Sequence, residues 1–517
     1  MKGSTLPRVA GALTMAALAT ALPAPASMAA PGDLDPSFGV GGLVVVDEGY
    51  TEWATGLAVQ PDGKVVGVGG TTAGVRDDAL VFRLEADGRR DPAFGYRHLD
   101  GPGGYDESAE AVAVQPDGKI VVVGYTYKNN DAAVWRVSAS GAPDPSFGGG
   151  DGLVTIDSGA WESLEDVAIA PDGGIVVVGS STGNGGEAVV YRLTSAGDLD
   201  VSFHGDGALG IGTSYSVARA VAVQPDGKIV ITGFFAPSSG MIVRRLTVAG
   251  APDPTFGGGD GEAHSDFDGD PRDLVLQSDG RIIVAGDTYG PTATDDALVM
   301  RYTATGTVDA SFGASGTRFD LGGYETILSV SLMSDGDVVA SGTTDVGEEA
   351  FVAKMGANGQ PDPGFGTAGV AMLPGSIAEG AAVAAQGDGH VLVAGDDSRY
   401  VSSALVYRFV GDYVPPKPQP APATPTCEGR KATIVGTPGK DRIKGTKKAD
   451  VVVARGGNDV VIGLGGDDLV CAGDGNDMVK GGPGKDTLLG ERGEDRLVGG
   501  TGKDRLVGGP QKDSVTQ

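Results

Sequence analysis

Nine aspartates stand nine residues apart towards the end of this 517-residue chain: Asp441, Asp450, Asp459, Asp468, Asp477, Asp486, Asp495, Asp504 and Asp513. They are position six of nine consecutive units, from "GTPGKDRIK" at Gly436 to "GGPQKDSVT" ending at Thr516, and position eight is always Ile, Val or Leu. Positions one to six suit a turn whose glycines accept unusual φ values and whose carbonyls can point inward. Positions seven to nine suit a short strand with one buried side chain. Two units then make one coil of a right-handed solenoid, so alternate turns stack with their carboxylates about 5 Å apart, the strand spacing. Bare carboxylates at that separation repel. A hard dication taking six or more oxygen ligands relieves the repulsion, and carboxylates with carbonyls suit Ca²⁺ where Zn²⁺ would ask for His or Cys. The alternative is a solenoid held by its Val/Leu ladder without metal.

The units are not equivalent. Lys448 and Gln511 stand where glycine is expected, and Lys440, Lys485, Lys503 and Lys512 sit just before their aspartates. The best sites are therefore expected at Asp459, Asp468, Asp477 and Asp486. The stretch from Gly436 to about Gly509 resembles the RTX (haemolysin-type) calcium-binding β-roll, whose signature is G-G-x-G-x-D-x-U-x. That resemblance implies that all nine aspartates supply the carboxylate ligand, with backbone carbonyls of the turn glycines completing each site.

The elements ahead of this ladder form a second, longer repeat. An Asp-Gly turn recurs at Asp62, Asp117, Asp172, Asp226, Asp279, Asp335 and Asp388, at intervals of 53 to 56 residues. A second signal, "DPSFG" and its variants, interleaves with it at Asp35, Asp91, Asp144, Asp200, Asp253, Asp309 and Asp362. "AVAVQPDGKIVVVG" (Ala111 to Gly124) reads as a hairpin, and β-rich runs such as "GLVVVD" and "DALVFRL" flank the first hairpin. Four strands in each of seven units describe a seven-bladed β-propeller. Each unit's last strand ends in a base, Arg83, Arg136, Arg192, Arg245, Arg301 or Lys354, eight residues before Asp91, Asp144, Asp200, Asp253, Asp309 or Asp362. That offset predicts an ion pair per blade junction and leaves Arg408 and Asp35 to pair across the ring closure. The turn signals also resemble the delta-60 repeat family, seen in secreted bacterial proteins, over roughly residues 32 to 411. The family implies a propeller-like repeat and confers no known activity.

The expected fold is therefore all-β, a seven-bladed β-propeller (32–411) followed by a C-terminal parallel β-roll (427–517), with a proline-rich linker (412–426) between them. Residues 1–29 read as a signal peptide: Lys2 and Arg8, the apolar "GALTMAALATAL", then small residues up to Ala29. A secreted, extracellular protein follows, with no membrane insertion, since no later run of 18 apolar residues exists. In that setting the two cysteines, Cys427 and Cys471, are expected to form a disulfide, worth about 4 kcal/mol on the chain-entropy model. The net charge of −29 lies entirely ahead of Gly436, where 55 acidic face 26 basic residues. Such a surface repels nucleic acid and anionic lipid and leaves calcium ions, neutral glycans or basic proteins as partners of an expected monomer.

Catalysis has little to stand on. The histidines, His98, His204, His264 and His390, lie far apart, and "GSSTG" at Gly179 to Gly183 has the spelling of a nucleophile elbow but lacks a following helical pattern. Glu52, Glu107, Glu162 and Glu325 each precede a turn aspartate by ten residues. They are read here as solvated loop carboxylates, with an acidic channel mouth as the alternative. The leading expectation is a non-enzymatic calcium-binding protein with a propeller binding surface. A propeller hydrolase or lyase acting on a carbohydrate or lactone is the rival, and a structural envelope or matrix protein a third.

Overall fold

The computed structural model describes residues 29–411 and 425–517, apart from short loop segments (73–75, 102–103, 129, 184–185, 237–239, 290–294, 314–315, 347–348, 374–378 and 397–402) and position 438. The signal peptide expected at 1–29 and nearly all of the 412–426 linker lie outside the described residues. The chain divides into two compact units, Met1–Val414 and Pro415–Gln517, and no α-helix occurs among the described residues.

The first unit is a seven-bladed β-propeller of four-stranded antiparallel sheets. The first blade runs Thr51–Val59, Val65–Thr72, Asp77–Leu84 and Tyr96–Leu99, innermost to outermost. Five more blades repeat that order. The seventh has three strands of its own, Glu379–Ala385, Val391–Asp396 and Ala404–Phe409, and takes its outermost strand, Leu43–Val46, from the start of the chain. The run "GLVVVD" thus belongs to the last blade, which closes the ring. Each innermost strand packs against its counterparts in the neighbouring blades, the seventh against the first included.

Every blade hairpin turns on its Asp-Gly pair, with Gly63, Gly118, Gly173, Gly227, Gly280, Gly336 and Gly389 at φ between 83° and 95°, a region closed to most side chains. The apolar cores fill the seven spaces between blades, each built from both neighbours. Into each reaches the phenylalanine of a "DPSFG" signal: Phe38, Phe94, Phe147, Phe203, Phe256, Phe312 and Phe365 are fully buried.

The second unit is a parallel solenoid of two five-stranded sheets. Residues 18 apart pair in register, as Val460↔Met478 and Val461↔Val479 do, so two nonapeptides make one coil. Position eight of successive units, Ile443, Val452, Val461, Val470, Val479, Leu488 and Leu497, forms the core.

Candidate metal centre

In the solenoid each turn aspartate uses its two oxygens differently. Oδ1 accepts the backbone N–H of the aspartate one coil earlier: Asp459 from Asp441 at 2.7 Å, Asp468 from Asp450 at 2.9 Å, Asp477 from Asp459 at 2.7 Å, and so on to Asp513. These bonds stack Asp459, Asp477 and Asp495 in one row and Asp468, Asp486 and Asp504 in the other. Oδ2 of all six is buried and meets no hydrogen-bond donor.

A buried carboxylate oxygen without a donor costs roughly 1–3 kcal/mol or more, which is the signature of a site shaped for a cation. The turn leaves room for one because position one is glycine: a Cβ on Gly463, Gly481, Gly490 or Gly499 would run into Oδ2 of the aspartate five residues on. Burial pushes Asp468 and Asp477 up to about 6, the preceding N–H bond offsetting part of the rise and neighbouring aspartates adding to it. Asp459, Asp486 and Asp495 are raised for the same first reason. The oxygen-only donor set fits Ca²⁺.

The first two aspartates differ. Asp441 Oδ2 accepts the Thr437 N–H at 2.6 Å and hydroxyl at 3.0 Å, and Asp450 Oδ2 accepts those of Thr446 at 2.6 and 2.9 Å. A threonine at position two thus supplies inside the protein the donors that the other six Oδ2 atoms lack. Asp513 Oδ1 caps Asp495, and its Oδ2 is not among the buried unpartnered atoms. Cys427 and Cys471 are disulfide-bonded, with Cα atoms 5.7 Å apart.

In the propeller the eight-residue offset brings each base onto its aspartate. Arg83–Asp91, Arg136–Asp144, Arg192–Asp200, Arg245–Asp253 and Arg301–Asp309 meet at 2.7 to 2.8 Å through Nε, and Lys354 reaches Asp362 at 2.6 Å. Arg408 Nε lies 2.8 Å from Asp35 Oδ2 across 373 residues of chain. The other oxygen, Oδ1, accepts the N–H two residues on, such as Ser37 at 2.9 Å and Thr255 at 3.0 Å, and where that residue is Ser or Thr its hydroxyl donates as well, Ser37 and Thr255 both at 2.8 Å. Arginine Nη1 continues to a carbonyl of the following blade, Arg83 to Ala139 at 2.7 Å and Arg408 to Ala86 at 2.5 Å. The guanidinium also lies over the buried phenylalanine ring. Sequence reasoning missed a helper: the base after Asp-Gly adds to the same carboxylate, Lys64 to Asp91 at 2.8 Å and His390 to Asp35 at 3.2 Å.

The four glutamates are neither solvated nor lining a mouth. Glu52, Glu107, Glu162 and Glu325 are at most 2% exposed, at the start of the innermost strand, with carboxylates turned into the blade junction. The histidines stay apart, each beside acids or carbonyls of its own blade or closure. Ser181 of "GSSTG" ends an antiparallel strand and donates to Glu162 at 3.1 Å, so no nucleophile elbow forms.

A polar ring in the central channel also escaped the sequence reading. In six of the seven innermost strands a one-residue β-bulge interrupts the pairing, leaving Thr55, Glu110, Glu165, Arg219, Arg272 and Leu328 as the extra residues. They line a cavity of about 430 Å³. Their signal was an offset of seven residues before each turn aspartate. Arg219 and Arg272 both converge on Asp270, at 3.0 and 3.1 Å, so the basic side of the channel is largely neutralised from within. Burial pushes Glu110 up to about 7 against a hydrogen bond from Ser108, with Glu165 adding to the rise.

A closed propeller joined to a solenoid of stacked carboxylates defines a two-module repeat protein with a candidate calcium ladder. The chain carries repeats of the family described as "Domain of unknown function (DUF5122) beta-propeller", matched at residues 60–94, 115–147, 170–203, 224–256 and 277–312, and RTX calcium-binding nonapeptide repeats between 435 and 515. No curated protein matches the sequence. Among solved structures, a catalytically inactive variant of virginiamycin B lyase from Staphylococcus aureus is 12% identical with a TM-score of 0.44, over 71% of this chain and 98% of its own. The β-propeller domain of the Trilobed protease from Pyrococcus furiosus is 10% identical with a TM-score of 0.39, over 72% and 99%. The gluconolactonase XC5397 from Xanthomonas campestris is 15% identical with a TM-score of 0.35, over 74% and 99%. At that level of similarity none of their chemistry transfers to this chain.

Proposed function

We propose that the protein is a secreted, non-enzymatic binding protein whose solenoid takes up Ca²⁺ to complete its fold and whose propeller engages a neutral extracellular glycan. The observation that carries the calcium reading is the set of six buried aspartate oxygens without donors. Secretion is supported by the leader-like first 29 residues and by the Cys427–Cys471 disulfide, which suits an oxidising compartment. Equilibrium dialysis of the full chain tests the ladder: several Ca²⁺ should bind, and Asp468→Asn with Asp477→Asn should lower the count. An unchanged count would overturn the assignment.

The glycan reading rests on one end of the propeller. Tyr50, Tyr105, Trp161, Tyr215 and Tyr324 lie in the loops leading to innermost strands, and Tyr127 and Tyr289 follow second strands at the same end; all are at least 45% exposed. Flat, amphipathic rings of this kind stack on sugar faces and leave their hydroxyls or indole N–H free to bond. The chain's negative charge disfavours anionic polymers. Affinity electrophoresis against neutral polysaccharides should show retardation that falls with Tyr105→Ala and Trp161→Ala. Retardation indifferent to both would sink the reading.

A further inference from the structure

A second group of carboxylates, each set built around a fully buried glutamate, lies on the aromatic end of the propeller. At the junction of the second and third blades, Asp131 begins a third strand, Asp157 follows an outermost strand, and Glu162 opens the next blade. Their oxygens lie within 4.8 Å of one another. Three blades on, Asp296, Asp320 and Glu325 repeat the arrangement from the same strand positions. We propose that these two junctions are Ca²⁺-type divalent-cation sites, built by the propeller itself and independent of the solenoid ladder.

Both glutamates divide their oxygens the same way. Glu162 Oε1 accepts the hydroxyls of Ser181, at 3.1 Å, and of Ser158. Glu325 Oε1 accepts the Gly323 N–H at 2.9 Å and the Thr344 hydroxyl at 3.0 Å. In each residue Oε2 is buried without a donor, and each side chain belongs to a residue 0% exposed. Asp157 and Asp320 are held in place from one side only, Oδ1 accepting the glycine N–H two residues on at 2.7 and 2.9 Å. One such glutamate oxygen aimed at further carboxylates, repeated at two junctions of the ring, calls for a cation.

The donor set selects its type. Oxygens within 4.8 Å of one another lie inside the span of about 4.6–5.2 Å that two opposite Ca²⁺–O contacts cover, whereas Zn²⁺ would favour His or Cys. Among the described residues neither Asp157 nor Glu162 pairs with Lys or Arg, while Arg318 lies 3.2 Å from Asp296 and supplies part of the charge at the second site.

Other junctions provide the contrast. Between the third and fourth blades Gly212 and Ser216 replace the aspartate and glutamate, and the Ser216 hydroxyl accepts the N–H groups of Thr213 and Ala236 at 3.2 and 3.1 Å. There the protein closes the space with its own donors. Between the first and second blades Asp78, Asp100 and Glu107 hold the same positions, but His98 draws Asp78 away at 3.2 Å. A bound ion would tie one blade to the next beneath the loop that carries Trp161 or Tyr324, and so would fix the aromatic face.

Trp161 adjoins Glu162, and the chain's three tryptophans, Trp53, Trp135 and Trp161, all lie in the propeller. Terbium(III), a luminescent oxygen-seeking substitute for Ca²⁺, can therefore be excited through tryptophan in the full chain, with Asp468→Asn as the control for emission from the ladder. Sensitised emission should saturate, be displaced by excess Ca²⁺, and persist in Asp468→Asn. Terbium affinity should fall roughly tenfold or more in Glu162→Gln and in Asp157→Asn, because affinity follows ligand charge. The second variant keeps the acceptor for Gly159, and an unaltered near-ultraviolet circular dichroism spectrum checks the fold of both. Absent emission, or emission undiminished by either substitution, would overturn the proposal.

Discussion

The propeller and the solenoid both repeat a buried aspartate, and they neutralise it in opposite ways. In the propeller each aspartate of the "DPSFG" signal finds an arginine or lysine from its own blade, and Asp35, Asp91, Asp144, Asp200, Asp253, Asp309 and Asp362 are all held below the usual carboxylate range. In the solenoid the repeated aspartates find backbone N–H groups but, among the described residues, no protein cation, and burial raises Asp459, Asp468, Asp477, Asp486 and Asp495. One module carries its counter-charge in the sequence. The other, on the calcium reading, imports it, and its folding would then be coupled to the ion.

The most severe way to break this contrast is to strip the propeller of its closing cation. Arg408→Ala leaves Asp35 buried with only His390 nearby and should cost about 3–5 kcal/mol, lowering the propeller transition in calorimetry while leaving the solenoid transition in place. Asp35→Asn in the same chain should recover part of the loss. Removing the disulfide by Cys427→Ser and Cys471→Ser should destabilise the solenoid by about 4 kcal/mol or less, seen as a lower denaturant midpoint for the solenoid alone. The same substitution should then have opposite signs in the two modules when Ca²⁺ is absent. Asp468→Asn should raise solenoid stability by on the order of 1 kcal/mol, because it removes a buried charge with a raised pKa, whereas Asp253→Asn should lower propeller stability.

Acid gives the smallest and most graded effect. Against the upward push of burial, the Thr255 N–H and hydroxyl, Lys228 and Arg245 hold Asp253 at about 2. Its folded pKa lies below the unfolded value, so its contribution is complete above about pH 4 and is lost as the pH falls towards 2. With propeller unfolding followed by tryptophan fluorescence, the stability difference between the parent chain and Asp253→Asn should stay constant from neutrality to about pH 4 and shrink below it.

Much of this was legible in the sequence because both repeats keep their period. The Asp-Gly spacing gave blade number, the eight-residue offset gave the partner of each buried aspartate, and the nonapeptide register gave the ladder. What was not legible depends on neighbours distant in the chain. That Asp441 and Asp450 are satisfied by Thr437 and Thr446 turns on hydroxyl geometry, and the channel positions of Glu110 and Arg219 follow from bulges that no single-residue preference announces. The glutamates that precede each turn looked like surface residues because their burial is created by the next blade. Asp486 was expected among the best sites although Lys485 precedes it, and its Oδ2 is as buried and unpartnered as that of Asp477.

Hydrogen exchange of the full chain with and without Ca²⁺ tests the central claim most directly. The amides of Asp459, Asp468, Asp477 and Asp486, which donate to aspartates one coil on, should exchange rapidly in chelator and become protected when Ca²⁺ is added, while amides of the strands Val338–Thr344 and Ala404–Phe409 stay protected throughout. Equal protection of the solenoid amides in both conditions would contradict the account.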